Sequence, residues 1–126
     1  MKKIIPFLMS LLMLAGCAMQ PAAESTYRQI DMDQAISLME TESNYIILDV
    51  RTVEEYNERH IPGAVNVPNE SIGSGDIHEL PDKEQLILVY CRSGNRSKTA
   101  SQKLAELGYT EVYEFGGIKD WPYETE

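Results

Sequence analysis

Two short segments are apolar at every position: Tyr45-Ile46-Ile47-Leu48 and Leu86-Ile87-Leu88-Val89-Tyr90. A strand with one solvated face alternates apolar and polar residues, whereas a strand covered on both faces does not. These runs have the length of strands, and helical patterns surround them. Asp31 can cap a helix in which Met32, Ala35, Ile36 and Met39 recur at helical spacing. Thr52 and Glu55 stand at capping-box spacing and open a short helix through about Glu58. A third helix, from about Ser97 to Leu107, turns Ala100, Leu104 and Leu107 inward and stops at Gly108. Strands alternating with helices predict an α/β fold, a mostly parallel sheet with helices on both faces.

Weaker signals complete the sheet. Tyr27 to Ile30 reads as a short edge strand and Ala64 to Val67 as a brief one after the Ile61-Pro62-Gly63 turn. Glu111 to Phe115 is the last strand; Gly116-Gly117 is expected to break it, and Trp121 to pack against the sheet. In parallel sheets, active sites form where strands deliver their C-terminal ends. Asp49-Val50-Arg51 ends one central strand and Cys91 ends another, so both are expected on the same edge.

The 126 residues suffice for one domain and a targeting segment. Met1-Lys2-Lys3 is basic, Ile4 to Leu14 is apolar, and Ala15-Gly16 is small. These are the parts of a secretory signal peptide, and the run falls short of the about 20 residues that a spanning helix needs. Leu14-Ala15-Gly16-Cys17 resembles the lipobox of bacterial lipoproteins, which implies cleavage before Cys17 and acylation of its thiol and new amino group. Residues 1–16 are then a signal peptide, 17–26 a lipidated tether, and 27–126 the domain. The expected location is the extracytoplasmic side of a membrane, held by palmitate-type lipid on Cys17. Losing Lys2 and Lys3 leaves nine basic residues against twenty acidic ones and takes the net charge from −9 to −11. Such a field disfavours nucleic acid as a partner. It leaves any anion to be met by a local cationic site.

With Cys17 lipidated, Cys91 is the only remaining thiol, and an exported chain with one leftover thiol calls for a functional reason. Cys91-Arg92-Ser93-Gly94-Asn95-Arg96-Ser97 lies between a buried strand and a helix. Such a turn can point successive backbone N–H groups inward, together with the unpartnered N–H groups of the helix start. Gly94, and to a lesser degree Asn95, tolerates left-handed backbone, and Arg92 and Arg96 add positive charge. Each effect favours thiolate, the nucleophilic form. The same cradle suits a persulfide anion on Cys91, formed by attack on the outer sulfur of a donor such as thiosulfate and discharged to a second nucleophile.

Four segments together resemble the rhodanese family. They are Leu48-Asp49-Val50-Arg51 with Glu54-Glu55-Tyr56, His60 to Pro68, Cys91 to Ser97, and Phe115-Gly116-Gly117-Ile118 to Trp121. The resemblance covers about Tyr27 to Trp121. It implies a three-layer domain of about five mostly parallel strands, with Cys91 carrying the persulfide and Arg92, Ser93, Gly94, Asn95, Arg96 and Ser97 forming the substrate pocket. No cofactor is implied. Partners are a small anionic sulfur donor and a thiol or cyanide acceptor, with a monomer as the default. Arg59 departs from the glycine common in the family before its histidine. Related cell-cycle phosphatases have a loop one residue longer, whereas four residues separate Cys91 from Arg96 here, which suits sulfur transfer. Three classes stay open: a sulfurtransferase enzyme, a sulfur carrier with little free turnover, and a phosphatase- or arsenate-reductase-like enzyme on the same fold. Loop length counts against the third.

Asp49 has two readings, supporting the pocket or, the favoured one, bracing the loops by accepting backbone N–H groups. Arg51 has two readings, charging the pocket or pairing with carboxylates. His60, beside Ile-Pro-Gly, reads as a turn brace rather than a base, and His78 as solvated. Lys98 either strengthens the positive field or sits in water. No His, Cys or Asp cluster has metal-ligand spacing, so no metal is expected.

Overall fold

The computed structural model describes residues 26–73 and 75–126. The expected signal peptide, Cys17 and the tether up to residue 25 lie outside them. Five strands form one sheet: β1 (Arg28–Gln29), β2 (Tyr45–Asp49), β3 (Val65–Asn66), β4 (Leu86–Cys91) and β5 (Val112–Gly117). Their order is β1-β5-β4-β2-β3, and every pairing is parallel. The two apolar runs are the adjacent central strands β2 and β4, in register from Tyr45 opposite Leu86 to Asp49 opposite Tyr90.

Strand alternation splits the core into two layers. Leu48, Val50, Ile87, Val89 and Val112 face α3 (Asn95–Glu106) through Ala100 and Leu104. Ile47, Leu88, Tyr90 and Phe115 face the opposite layer, which contains Ala35 of α1 (Met32–Thr41) and Tyr56 of α2 (Val53–Glu58). Helices therefore cover both faces, as the sequence pattern requires. Trp121 packs on the α1 side of the sheet.

The capping box expected at Thr52 forms, and the cap expected at Asp31 proves to be a capping box as well. Asp31 accepts from the Gln34 N–H while the Gln34 side chain accepts from the Asp31 N–H, and Thr52 and Glu55 do the same at α2. Glu55 does a second job, because Arg96 of α3 donates to both its oxygens, at 2.7 and 3.1 Å. That bond, with lesser help from Thr52, holds the Glu55 carboxyl down at about 2 against the opposing pull of burial.

Two boundaries differ from the sequence reading. Gly94 takes a positive φ of 112° and turns the chain straight into α3, which begins at Asn95 rather than Ser97. Asn95 therefore needs no left-handed backbone. Gly116-Gly117 also does not break β5. The strand runs on to Gly117, opposite Cys91, after an irregularity in register between Val89 and Cys91. Any side chain at Gly117 would overlap the backbone of Arg92 and Ser93, so glycine is what lets the Cys91 loop lie on the end of β5. The Arg92 carbonyl is also held by the Lys119 N–H, at 3.3 Å.

Gly117→Ala is therefore expected to destabilise the fold by about 1–3 kcal/mol, the usual cost of forcing atoms into a packed site. Gly73→Ala, where a Cβ meets nothing within 4 Å, is the neutral control in urea unfolding. The Glu55 carboxyl is lowered on folding, so its contribution to stability is whole above its ordinary value of 4.5 and lost as pH falls toward about 2. Glu55→Gln should accordingly reduce stability at pH 7, with the difference from wild type shrinking across that acid window.

Candidate active site at the C-terminal edge of the sheet

The parallel register of β2 and β4 brings Asp49, Arg51 and Cys91 out on one edge, as anticipated. Asp49 is fully buried and Arg51 is 4 % exposed. Arg51 donates to Asp49 from its backbone N–H at 2.9 Å and from Nη2 at 2.7 Å, with Nε 3.0 Å away from one carboxylate oxygen. Tyr90 Oη donates to Asp49 at 2.5 Å and accepts the Ile61 N–H at 3.1 Å. Burial, reinforced by the bond to Asp49, pushes the Tyr90 hydroxyl far above its ordinary range. Arg51 Nη2 further donates to the Arg59 carbonyl at 2.7 Å, and Asn66 Nδ2 donates to the carbonyls of Asp49 and Arg51, each at 3.0 Å. Bracing is thus the structural role of both residues. Arg51 also lines a small cleft described below.

Cys91 ends β4 and is 1 % exposed, with its side chain on the α3 face. Its sulfur accepts the Gly94 N–H at 3.0 Å and lies 3.4 Å from Ser97 Oγ. The expected ring of amides is thus narrower than the sequence suggested, with one loop N–H directed at the sulfur and the start of α3 following at once. Ser97, placed by sequence in the anion ring, is fully buried beneath the sulfur. Its hydroxyl donates to Glu114 Oε2 at 2.5 Å. Glu114 is 1 % exposed and also accepts the Gly116 N–H at 2.9 Å.

Arg96 is not a free cation over the loop, because Glu55 holds it. The bond to Glu55 outweighs burial and raises the Arg96 guanidinium above its ordinary value. Arg92 and Ser93 are exposed, as are Asn95 and Lys98. A cleft of about 180 Å³ is lined by Arg51, Glu55, Glu58, Arg59, Arg92 and Ile118. A larger concavity of about 590 Å³ lies between Pro62 and Trp121–Glu124, but it shares no lining residue with the Cys91 loop and holds no nucleophile. The cleft beside Arg92 does touch the Cys91 loop. His60 braces its turn, stacking on Tyr56 with centroids 3.8 Å apart and placing Nδ1 2.9 Å from the Tyr56 carbonyl. His78 is exposed. Among the described residues, no group of three or more His, Cys, Asp and Glu side chains is gathered for a metal ion.

Two functional neighbours escaped the sequence reading. Glu55 was legible as a cap, but its reach to Arg96 across 41 positions was not. Glu114 lies in the last strand, to whose residue 114 the sequence reading gives no role. By alternation it shares a face with buried Val112, which is the signal that would have flagged an inward carboxylate.

Comparison with known proteins agrees with this architecture. Residues 31–123 match the family described as the rhodanese-like domain. The thiosulfate sulfurtransferase PspE of Escherichia coli is 40% identical over 73 residues, 58% of this chain and 70% of that one. The putative sulfur carrier protein YrkF of Bacillus subtilis is 30% identical over 103 residues, 81% of this chain but 55% of that protein. A solved rhodanese with anions from E. coli superposes with a TM-score of 0.59 at 35% identity, covering 65% of this chain and 96% of the other. With a matching sheet, loop and family signature, the chain belongs to the rhodanese-like family of sulfur-transfer domains.

Proposed function

We propose that this protein is a thiosulfate sulfurtransferase that works through a persulfide on Cys91. The observation that carries the reading is the sulfur's position: it ends a central parallel strand, receives the Gly94 N–H at 3.0 Å, and stands directly before the N-terminus of α3. Partial positive charge from these amides favours the thiolate and then the terminal persulfide anion. The Cys91 thiolate attacks the outer sulfur of thiosulfate, the bond between the two donor sulfurs breaks, and sulfite leaves. Cyanide or a thiolate then attacks the outer sulfur of the persulfide and restores Cys91. Arg92 and Arg59, both exposed and both lining the adjacent cleft, attract the anionic donor that the acidic surface would otherwise repel. Gly94, Ser93 and Asn95 shape the entry, while Arg96 acts through Glu55 to fix the loop.

A second reading, a carrier that passes sulfur on with little free turnover, is favoured by the similarity to a protein named as a putative sulfur carrier. Both readings need the same persulfide. Phosphoryl chemistry fits less well: a phosphate needs a free guanidinium over the loop, and Arg96 is already engaged at both nitrogens. We further propose export, with lipid on Cys17 holding a monomeric domain at the extracytoplasmic face of a membrane. Two or three acyl chains anchor firmly, whereas one gives only marginal binding.

Mixed with thiosulfate, the purified chain should gain one sulfur atom by intact mass and lose it to cyanide. Cys91→Ser should gain none. Wild type that stays unmodified yet hydrolyses an aryl phosphate would overturn the sulfur-transfer reading. Steady-state thiocyanate formation separates enzyme from carrier. Arg59→Ala and Arg92→Ala should each raise KM for thiosulfate about two- to fivefold, the scale of an exposed charge interaction. In cells, Cys17→Ser should abolish incorporation of labelled palmitate and release the protein from the membrane fraction; retention of both would refute the anchor.

A further inference from the structure

The mechanism so far leaves one buried ionisable group unused. Glu114 is 1 % exposed, and among the described residues no cation stands at ion-pair distance from it. Its Oε2 accepts the Ser97 hydroxyl at 2.5 Å and the Gly116 N–H at 2.9 Å. The same Ser97 oxygen lies 3.4 Å from Cys91 Sγ, in position to accept the thiol proton. Cys91, Ser97 and Glu114 are thus one hydrogen-bonded chain, S–H to Oγ and O–H to carboxylate, shielded from water. Two negative charges in so small a buried space repel strongly, because neither is screened. One proton held between the two groups removes that conflict.

Charged neighbours on the packed elements do not relieve that conflict. On α3, Arg96 is taken by Glu55, Lys103 donates to the Asn69 carbonyl, and Lys98 and Glu106 are exposed. On β4, Tyr90 points to the opposite layer and is held by Asp49. On β1, Arg28 pairs with Glu111, and on α1, Asp33 and Glu40 are exposed. Past β5, Lys119 and Asp120 pair with each other in solvent.

We propose that Glu114 is the positioning residue that holds the Cys91 proton during sulfur transfer, so that one negative charge alternates between carboxylate and sulfur. At rest the proton lies on the Cys91 side of this chain and Glu114 is a carboxylate; the Gly94 N–H stabilises the thiolate once that proton moves. As the thiol proton passes to Ser97, the Ser97 proton passes to Glu114. The resulting thiolate attacks the outer sulfur of thiosulfate; a sulfur–sulfur bond forms to Cys91, the donor's own breaks, and sulfite leaves with the electron pair. The site then holds a persulfide anion beside a neutral carboxylic acid. When an acceptor such as cyanide takes the outer sulfur, the Cys91 sulfur departs with the bonding pair and receives the proton back through Ser97. No external acid or base is consumed, and the buried charge is the same before and after each step. This role rests on the persulfide reading, but the coupling between thiol and carboxylate can be tested without it.

The test uses the full chain with Cys17→Ser, which leaves Cys91 as the sole thiol. Alkylation by iodoacetamide should follow pH in two steps in this background and in a single step once Glu114→Gln is added. Near neutral pH Glu114→Gln should alkylate about tenfold faster, since no second negative charge then opposes the thiolate. Infrared difference spectra between persulfide and reduced forms should show a protonated-carboxyl band in the parent and none in Glu114→Gln. This measurement needs only the parent fold, so it decides even if the variant is unstable. A single-step profile in the parent, or no carboxyl band on persulfide formation, overturns the proposal. Failure to form any persulfide overturns the sulfur-transfer reading instead, and the alkylation profile then still reports on the coupling.

Discussion

The parallel pairing of β2 with β4 is the constraint on which the site depends. Its register sets Asp49 beside Tyr90, one residue before Cys91 and two before Arg51. Because side chains alternate along a strand, Tyr90 and Cys91 leave β4 on opposite faces. One face receives the Asp49–Arg51–Tyr90 network, the other the nucleophile. The network knots β2 to β4, to the Ile61 N–H and to the Arg59 carbonyl, all at the level where the loop begins. Removing one partner of such a buried pair costs about 3–5 kcal/mol, because the other charge is left uncompensated. The rigid backing of the Cys91 loop is therefore electrostatic on one side and apolar on the other.

On the far side the loop is defined by what is absent. Gly117 has no side chain, so the backbone of Arg92 and Ser93 can lie directly on β5 opposite Cys91. Gly94 then supplies the one left-handed residue needed to enter α3 without a spacer. Together these glycines make the turn tight enough for the Gly94 N–H to meet the sulfur. A looser turn would deprive the sulfur of this backbone donor.

The fold was largely legible because its strongest signals are local. Apolar runs marked β2 and β4, and capping residues Asp31 and Thr52 marked two helix starts where the structure has them. Cys91 at a strand end, followed by Gly94, pointed to the loop. What sequence did not reveal is long-range partnership. Arg96 reads as a free cation until Glu55, from another helix, is seen to hold it. Ser97 reads as one more loop donor until burial turns it toward Glu114. Gly116-Gly117 reads as a break, since glycine weakens strands, and only the register with Cys91 shows that close approach outweighs propensity.

The charge arrangement follows from those partnerships. Arg51, which the sequence left open, and Arg96, which it read as a loop cation, are each held by a carboxylate. In the proposed reaction anion attraction thus falls to the exposed Arg92 and Arg59, while stabilisation at the sulfur falls to the Gly94 N–H and the start of α3. That division suits the anionic donor and persulfide proposed above. Fixed dipoles hold a small buried charge without adding a counter-ion that would need its own desolvation. Glu114 fits the same logic from the other direction: with no cation at ion-pair distance among the described residues, it is placed to relieve a second buried charge by taking the proton, as proposed.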